Sequence, residues 1–218
     1  MTGAGEIEAT TTVPGWLRIP EDLAPEARSA WVEESVAELR DAWGEQWDAR
    51  AAQMVPEMLR ASLDERPDAH VVFEVWPLAL PARARVQVSM VDRASLPDWE
   101  AIGCDVVPYD GAAVGPGLAV SRQRDSESEE GLRLIDWGAV FDDGERALFV
   151  QVDTVPVLFL QQILAGLHGM VTSLRVTLPS GEPFAARPSA LALQDDDGEW
   201  PAARMQAEGL ADGPEDAA

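Results

Sequence analysis

The spacing of apolar residues changes period part-way along this chain, and that change limits the fold more than any other feature. Over residues 27–47, Val32, Val36, Leu39, Trp43 and Trp47 recur at intervals of three or four, the repeat of one face of an α-helix. Glu33, Glu34, Glu38, Asp41, Glu45 and Asp48 fall mostly off that stripe, so one face packs and the others meet water. From His70 the period becomes two. In residues 83–91, Val86, Val88 and Met90 alternate with Arg85, Gln87 and Ser89, which puts successive side chains on opposite faces of a strand. Residues 70–76 (HVVFEVW) are equally β-rich, but their adjacent valines break the alternation and imply burial on both faces.

The remaining elements follow from the same signals. Order is expected to begin at Gly15, with Trp16, Leu17, Arg18 and Ile19 forming a short strand ended by Pro20. The long helix starts near Ala27, with Pro25 and Glu26 close to its first turn. Pro56 lacks an N–H and collides with the preceding turn, so an interruption is expected there, followed by a short helix carrying Met58, Leu59 and Leu63. Residues 64–68 form a turn. Residues 92–112 read as an irregular loop or short helix anchored by Leu96, Trp99, Ile102, Val106 and Val107. A strand over 117–123 precedes the strongest hairpin signal, residues 131–141 and 146–155, whose Asp143-Gly144 pair suits the positive φ of a tight turn. Pro156 introduces a helix with Leu160, Leu164, Leu167, Val171 and Leu174 on one stripe and almost no charge, which implies cover on much of its circumference. Residues 174–178 close the domain, and 189–193 carry a weaker strand signal.

Strands and helices do not alternate strictly, which argues against a doubly wound parallel sheet. The expected fold class is α+β: an antiparallel β-sheet packed against a long N-terminal helical region and a C-terminal helix. Residues 1–14 are small, polar and threonine-rich and read as a disordered lead-in; 15–193 form one domain; 194–218 form an acidic disordered tail.

Charge narrows the partners. Thirty-nine acidic residues face 16 basic ones, all arginine, for a formal charge of −23. The last 24 residues carry −7 of it and the first fourteen −2, which leaves −14 on the body between them. Such a chain repels a phosphate backbone and an anionic membrane surface, so no nucleic acid is expected; the charge fits a partner protein with a basic surface or a divalent cation, and equally a device for solubility or compositional drift. The longest apolar run, residues 155–160, is far short of the roughly 20 residues that span a bilayer. The opening segment carries two glutamates and no basic cluster or apolar run, unlike a signal peptide. One cysteine, Cys104, allows no internal disulfide. A cytoplasmic location is expected.

Signs of chemistry are sparse. His70, His168 and Cys104 are too few for a standard zinc centre, and no HExxH, CxxC, P-loop, GxGxxG or GxSxG pattern occurs. Glu100 and Asp105 near Cys104 disfavour its thiolate. Asp142 and Asp143 suit a hairpin turn, and Asp64, Glu65 and Asp68 a helix end and turn. Asp195-Asp-Asp-Gly198 resembles part of a calcium loop, but with Gly198 at the sixth position Leu193 and Arg204 occupy places that need carboxylates. Asp136 and Asp153 lie in the hairpin strands, where they are either neighbours or parts of a solvated face. No catalytic set, metal or cofactor is expected. Eight tryptophans are unusual, and Trp31 is offset from the stripe of the first helix, so it is either a core-edge packer or a protein-contact anchor. Trp31, Glu34, Glu38 and Trp99 are the candidate protein contacts.

The strand GWLRIP, the acidic tryptophan-bearing helix after it, the hairpin GLRLIDWGAVF and RALFVQVDT, and the closing MVTSLRVTL together resemble the Mog1/PsbP-like fold as found in small actinobacterial proteins. The resemblance covers roughly residues 15 to 178. It implies an adaptor, assembly or accessory protein and supplies no catalytic residues. The alternatives are a small-molecule-binding domain or enzyme with a pocket near residues 92–117, and a phage- or secretion-related structural component.

Overall fold

The computed structural model describes residues 5–77 and 82–188. In chain order these form β1 (Glu6–Glu8), β2 (Trp16–Arg18), α1 (Pro25–Trp43), α2 (Ala49–Asp64), β3 (Val71–Val75), β4 (Ala84–Asp92), β5 (Asp105–Asp110), β6 (Pro116–Asp125), β7 (Arg133–Asp142), β8 (Arg146–Pro156), α3 (Val157–Ser173) and β9 (Arg175–Thr177). The fold is α+β, with a large antiparallel sheet and three α-helices. Seven strands run in the order β2-β3-β4-β8-β7-β6-β5, every neighbouring pair antiparallel, while β1 and β9 make a separate ribbon. The expected strand at 189–193 and the tail at 194–218 lie outside the described residues.

The pleat sorts the core into two faces. Val71, Phe73 and Val75 of β3, Val86 and Val88 of β4 and Val150 and Val152 of β8 share one cluster with Leu160, Ile163, Leu167, Met170 and Val171 of α3. The absence of Asp, Glu, Lys and Arg from α3 fits this packing: eight of its residues are buried. The opposite face holds smaller clusters, among them one of Ile19, Ala69 and Val72. Leu17 and Trp76 pack with Val32, Leu39, Val55 and Leu59 beneath α1 and α2, and Val106, Leu118, Val120, Val140 and Ala147 pack with Leu96, Trp99 and Phe149 at the other end. With a helix on each side, β3 is buried at all five positions, as its broken alternation implies.

Three local expectations are corrected. Residues 6–8 of the lead-in are not disordered: Ile7 is buried opposite Val176, with Glu6 and Glu8 paired to Thr177 and Arg175. A single apolar residue between two glutamates carries almost no sequence signal, and the edge of β9 supplies the hydrogen bonds that order it. Pro56 does not interrupt α2, which runs through it. The carbonyl that Pro56 leaves unpaired belongs to Ala52, an exposed residue, so water can satisfy it. The break falls earlier, at Gly44 (φ +51) and the 3-10 turn Gly44–Gln46, after which Asp48 caps α2 by accepting from the Ala51 N–H at 2.7 Å. Finally, the segment read as irregular contains β5, an edge strand whose Pro108 is tolerated because edge positions need fewer ladder bonds.

No helix among the described residues is long and apolar enough to cross a membrane.

Candidate functional site

The four candidate contacts fall in two separate places. On α1, Glu34 and Glu38 are exposed, whereas Trp31 is turned inward. Its ring packs against the clusters containing Val32 and Leu39 and containing Ile19 and Val72, and its indole N–H donates to the Arg18 carbonyl at 3.2 Å. The polar edge that a contact tryptophan would offer a partner is thus engaged in fastening α1 to β2. Partial burial raises the pKa of the Glu38 carboxyl. Trp99 lies over the other end of the same sheet face, packed with Val106 and Phe149, so the structure does not bring it to the α1 group.

Around Trp99 the chain builds a cleft of about 640 Å³ between residues 93–106 and the turn that joins β7 to β8. Val106 is buried, Leu96 and Trp99 are half-buried, and Pro97 is exposed beside them; they form an apolar floor. Asp98, Glu100, Asp142 and Glu145 line the same cleft against one cation, Arg93. Arg93 is already bound, its Nε lying 2.6 Å from Asp142 Oδ2. Asp142 Oδ1 accepts from the Gly144 N–H, and Asp143 from the N–H groups of Glu145 and Arg146, the turn work anticipated for this pair. Asp98 accepts from the Ala101 N–H at 3.1 Å. Glu100 and Glu145 make no ion pair among the described residues.

The walls are held by their own backbone. Cys104 N–H donates to the Trp99 carbonyl at 2.9 Å, Gly103 N–H to that of Glu100 at 2.9 Å, and Arg93 N–H reaches across to the Glu145 carbonyl at 3.1 Å. Trp99 stacks obliquely on Phe149, ring centroids 5.7 Å apart. Its Nε1 is shut off from solvent with no acceptor.

Elsewhere the titratable groups are committed to structure. Glu74 is completely buried between Arg83 and Arg85. Asp136, at the β-bulge between Ile135 and Trp137, bonds the Thr154 hydroxyl and Arg122, whereas Asp153 accepts from the Arg85 N–H and Gln87 Nε2. Different partners therefore claim these two carboxylates. Burial of Cys104, reinforced by Asp136 and Asp105 against Arg122, raises its thiol pKa. His70 accepts at Nδ1 from the Met90 N–H, and His168 is hydrogen-bonded to the Tyr109 hydroxyl at 3.2 Å. Among the described residues no three His, Cys, Asp or Glu side chains are grouped to hold a metal ion.

Sequence reasoning singled out Trp99 but not its surroundings. Asp142 and Glu145 join it because β4 pairs with β8, placing Asp92 opposite Arg146, a pairing that no local pattern announces. Glu74 had one signal: a lone carboxylate inside VVFEV, a run buried on both faces, needs cations beside it.

No protein-family model matches the chain, and no curated protein matches it.

Proposed function

We propose that this chain is a non-enzymatic protein-interaction module, an adaptor or accessory protein of a larger assembly, acting in the cytoplasm on a partner with a basic surface. The observation that carries this reading is the −14 formal charge on the body between the first fourteen and last 24 residues. That charge cannot be assigned to the ends of the chain. Exposed carboxylates steer a basic partner and reject acidic ones. The arrangement of a sheet between a long N-terminal helical region and a C-terminal helix, and the resemblance to the Mog1/PsbP-like fold, add to it. Affinity capture with the full chain from native cells, at low and raised salt, tests it. A reproducible partner released by salt, and recovering this chain in the reciprocal capture, is expected; failure to recover any partner counts against the reading.

A second reading, a small-molecule-binding domain or enzyme with a pocket near residues 92–117, is favoured by the cleft around Trp99. Its volume lies within the usual range of small-molecule sites. Ligand-observed NMR with a small-molecule fragment set decides it. Saturable binding that Trp99→Ala abolishes supports this reading, and the absence of any hit sinks it.

A further inference from the structure

Building on the adaptor reading, we infer that the cleft around Trp99 is the recognition site and that it takes an extended segment of a partner protein carrying arginine or lysine beside an aliphatic side chain. Three observations and one general property of basic side chains lead there. The cleft combines an apolar floor with an excess of carboxylates, and its one cation is spent on Asp142. Glu100 and Glu145 come from its two walls and lack ion-pair partners among the described residues, so a cation entering between them gains two counter-charges. Lysine and arginine lay a long apolar stem along a surface while their head stays polar, and an aromatic ring beside the head adds to the attraction. The walls are already fixed by the hydrogen bonds from Cys104, Gly103 and Arg93, so little ordering is required on binding.

Two grooves elsewhere among the described residues do not suit such an occupant. Of these two grooves between α1 and α2, one sets Arg28 and Arg60 against Asp64, which Arg28 already pairs, and the other sets Arg40 and Arg60 against Glu33, so each carries an excess of guanidinium that repels a basic segment. Glu34 and Glu38 are exposed but line neither groove. An anionic ligand in the Trp99 cleft would meet four carboxylates and no free cation. The sealed Trp99 Nε1, without an acceptor, gives a direct report, because an occupant that shifts the ring changes its environment.

The test uses the full chain and three fluorescein-labelled peptides with identical Gly-Ser flanks and cores Leu-Arg-Leu-Arg, Ser-Arg-Ser-Arg and Leu-Gln-Leu-Gln, followed by anisotropy at low salt. The mixed peptide is expected to bind at least about tenfold tighter than either control, and Trp99→Ala to weaken it by about tenfold or more. The exposed pair Glu100→Gln/Glu145→Gln keeps the fold and should weaken it similarly, while Glu34→Gln/Glu38→Gln leaves it within about twofold. In ¹H–¹⁵N spectra the indole peak that disappears in Trp99→Phe should be the one that moves when peptide is added. Equal losses from the α1 and cleft pairs, or equal binding of the Ser-Arg peptide, overturn the cleft while leaving an acidic adaptor standing. Spermidine competing as well as the mixed peptide also overturns it, in favour of a small-amine pocket. No binding of any arginine peptide overturns it too, and the capture experiment then decides separately whether the adaptor reading survives.

Discussion

The carboxylate of Glu74, completely buried on β3, is held by the guanidinium of Arg83, while Arg85 lies directly opposite on β4 with its Nε 3.5 Å from Glu74 Oε2. Arg83 also donates to the Ser62 hydroxyl, which in turn donates to the Met58 carbonyl at 2.8 Å. Arg85 reaches the Glu65 carboxylate at 2.9 Å. One buried charge thereby ties the C-terminal end of α2 to β3 and β4, near one edge of the sheet.

Breaking a buried ion pair by removing one partner leaves the other uncompensated, at a cost of about 3–5 kcal/mol. Glu74→Ala is expected to lose less, about 1.5–3 kcal/mol, because the side chains of Arg83 and Arg85 are 22% and 17% exposed and both keep Glu65, at 4.0 and 2.9 Å. Glu34→Ala, on the exposed side of α1, should change stability by less than about 0.5 kcal/mol. Urea unfolding of both variants checks the contrast. Similar midpoints would mean that the Glu74 cluster is solvated.

Trp31 carries a different expectation. Its indole N–H bonds the Arg18 carbonyl and its half-buried ring is packed, so Trp31→Phe should cost about 1 kcal/mol for the lost hydrogen bond, and Trp31→Ala more than that but less than the roughly 3–5 kcal/mol of a fully buried tryptophan. Neither should change the affinity for an arginine-bearing peptide at fixed folded fraction. A Trp31→Phe variant of unchanged stability and weakened binding would return Trp31 to the partner surface.

Tyr109 gives a pH dependence that can be read without interference, because it is the sole tyrosine in the chain. Burial, aided by the negative Asp110 beside it, raises its pKa above the usual value. The neutral phenol is therefore favoured in the folded state. That contribution is fully present below the unfolded value of about 10 and is lost as pH rises from there through the folded value. Absorbance near 295 nm should show no phenolate at about pH 10 in the native protein, with a midpoint near 10 in denaturant. A native midpoint at 10 with unchanged circular dichroism would show Tyr109 to be open to solvent.

How far the sequence could be read depends on where the physical signal was local. The stripe around Val32 and Leu39, the alternation of Val86 and Val88, and the β7–β8 turn all depend on neighbours within a few residues, and they match the structure. Where long-range pairing decided the outcome, local signals were silent or misleading. Pro56 weighs heavily by rule, yet the helix continues because the capped start at Asp48 and the buried Val55 and Leu59 outweigh one lost bond. Strand β1 exists only because β9 lies beside it. The cleft joins Trp99 to Glu145 through a strand order set by hydrogen bonding between distant segments, so the tryptophan was legible as a candidate and its carboxylate neighbours were not.

The far wall of that cleft rests on one backbone conformation. Gly144 has φ +102 in the turn between Asp142 and Arg146, a region that side chains of L-residues disfavour by about 1–2 kcal/mol. A Cβ there would meet Arg187 Nη1 at an ordinary 3.5 Å, so the cost of Gly144→Ala is conformational and not steric. It should appear as a loss of about 1–2 kcal/mol in urea unfolding, with Gly144→Asn losing less because asparagine tolerates positive φ. The same change pulls on Asp142, whose Oδ1 accepts from the Gly144 N–H at 2.6 Å, whose Oδ2 holds Arg93 and whose carbonyl accepts from Arg187. Displacing that carboxylate frees Arg93, puts an unpaired cation in the cleft and lowers the affinity for the Leu-Arg-Leu-Arg peptide. Gly144→Ala with full peptide affinity and the expected stability loss would show that the turn supports the hairpin alone and does not set the electrostatics of the cleft.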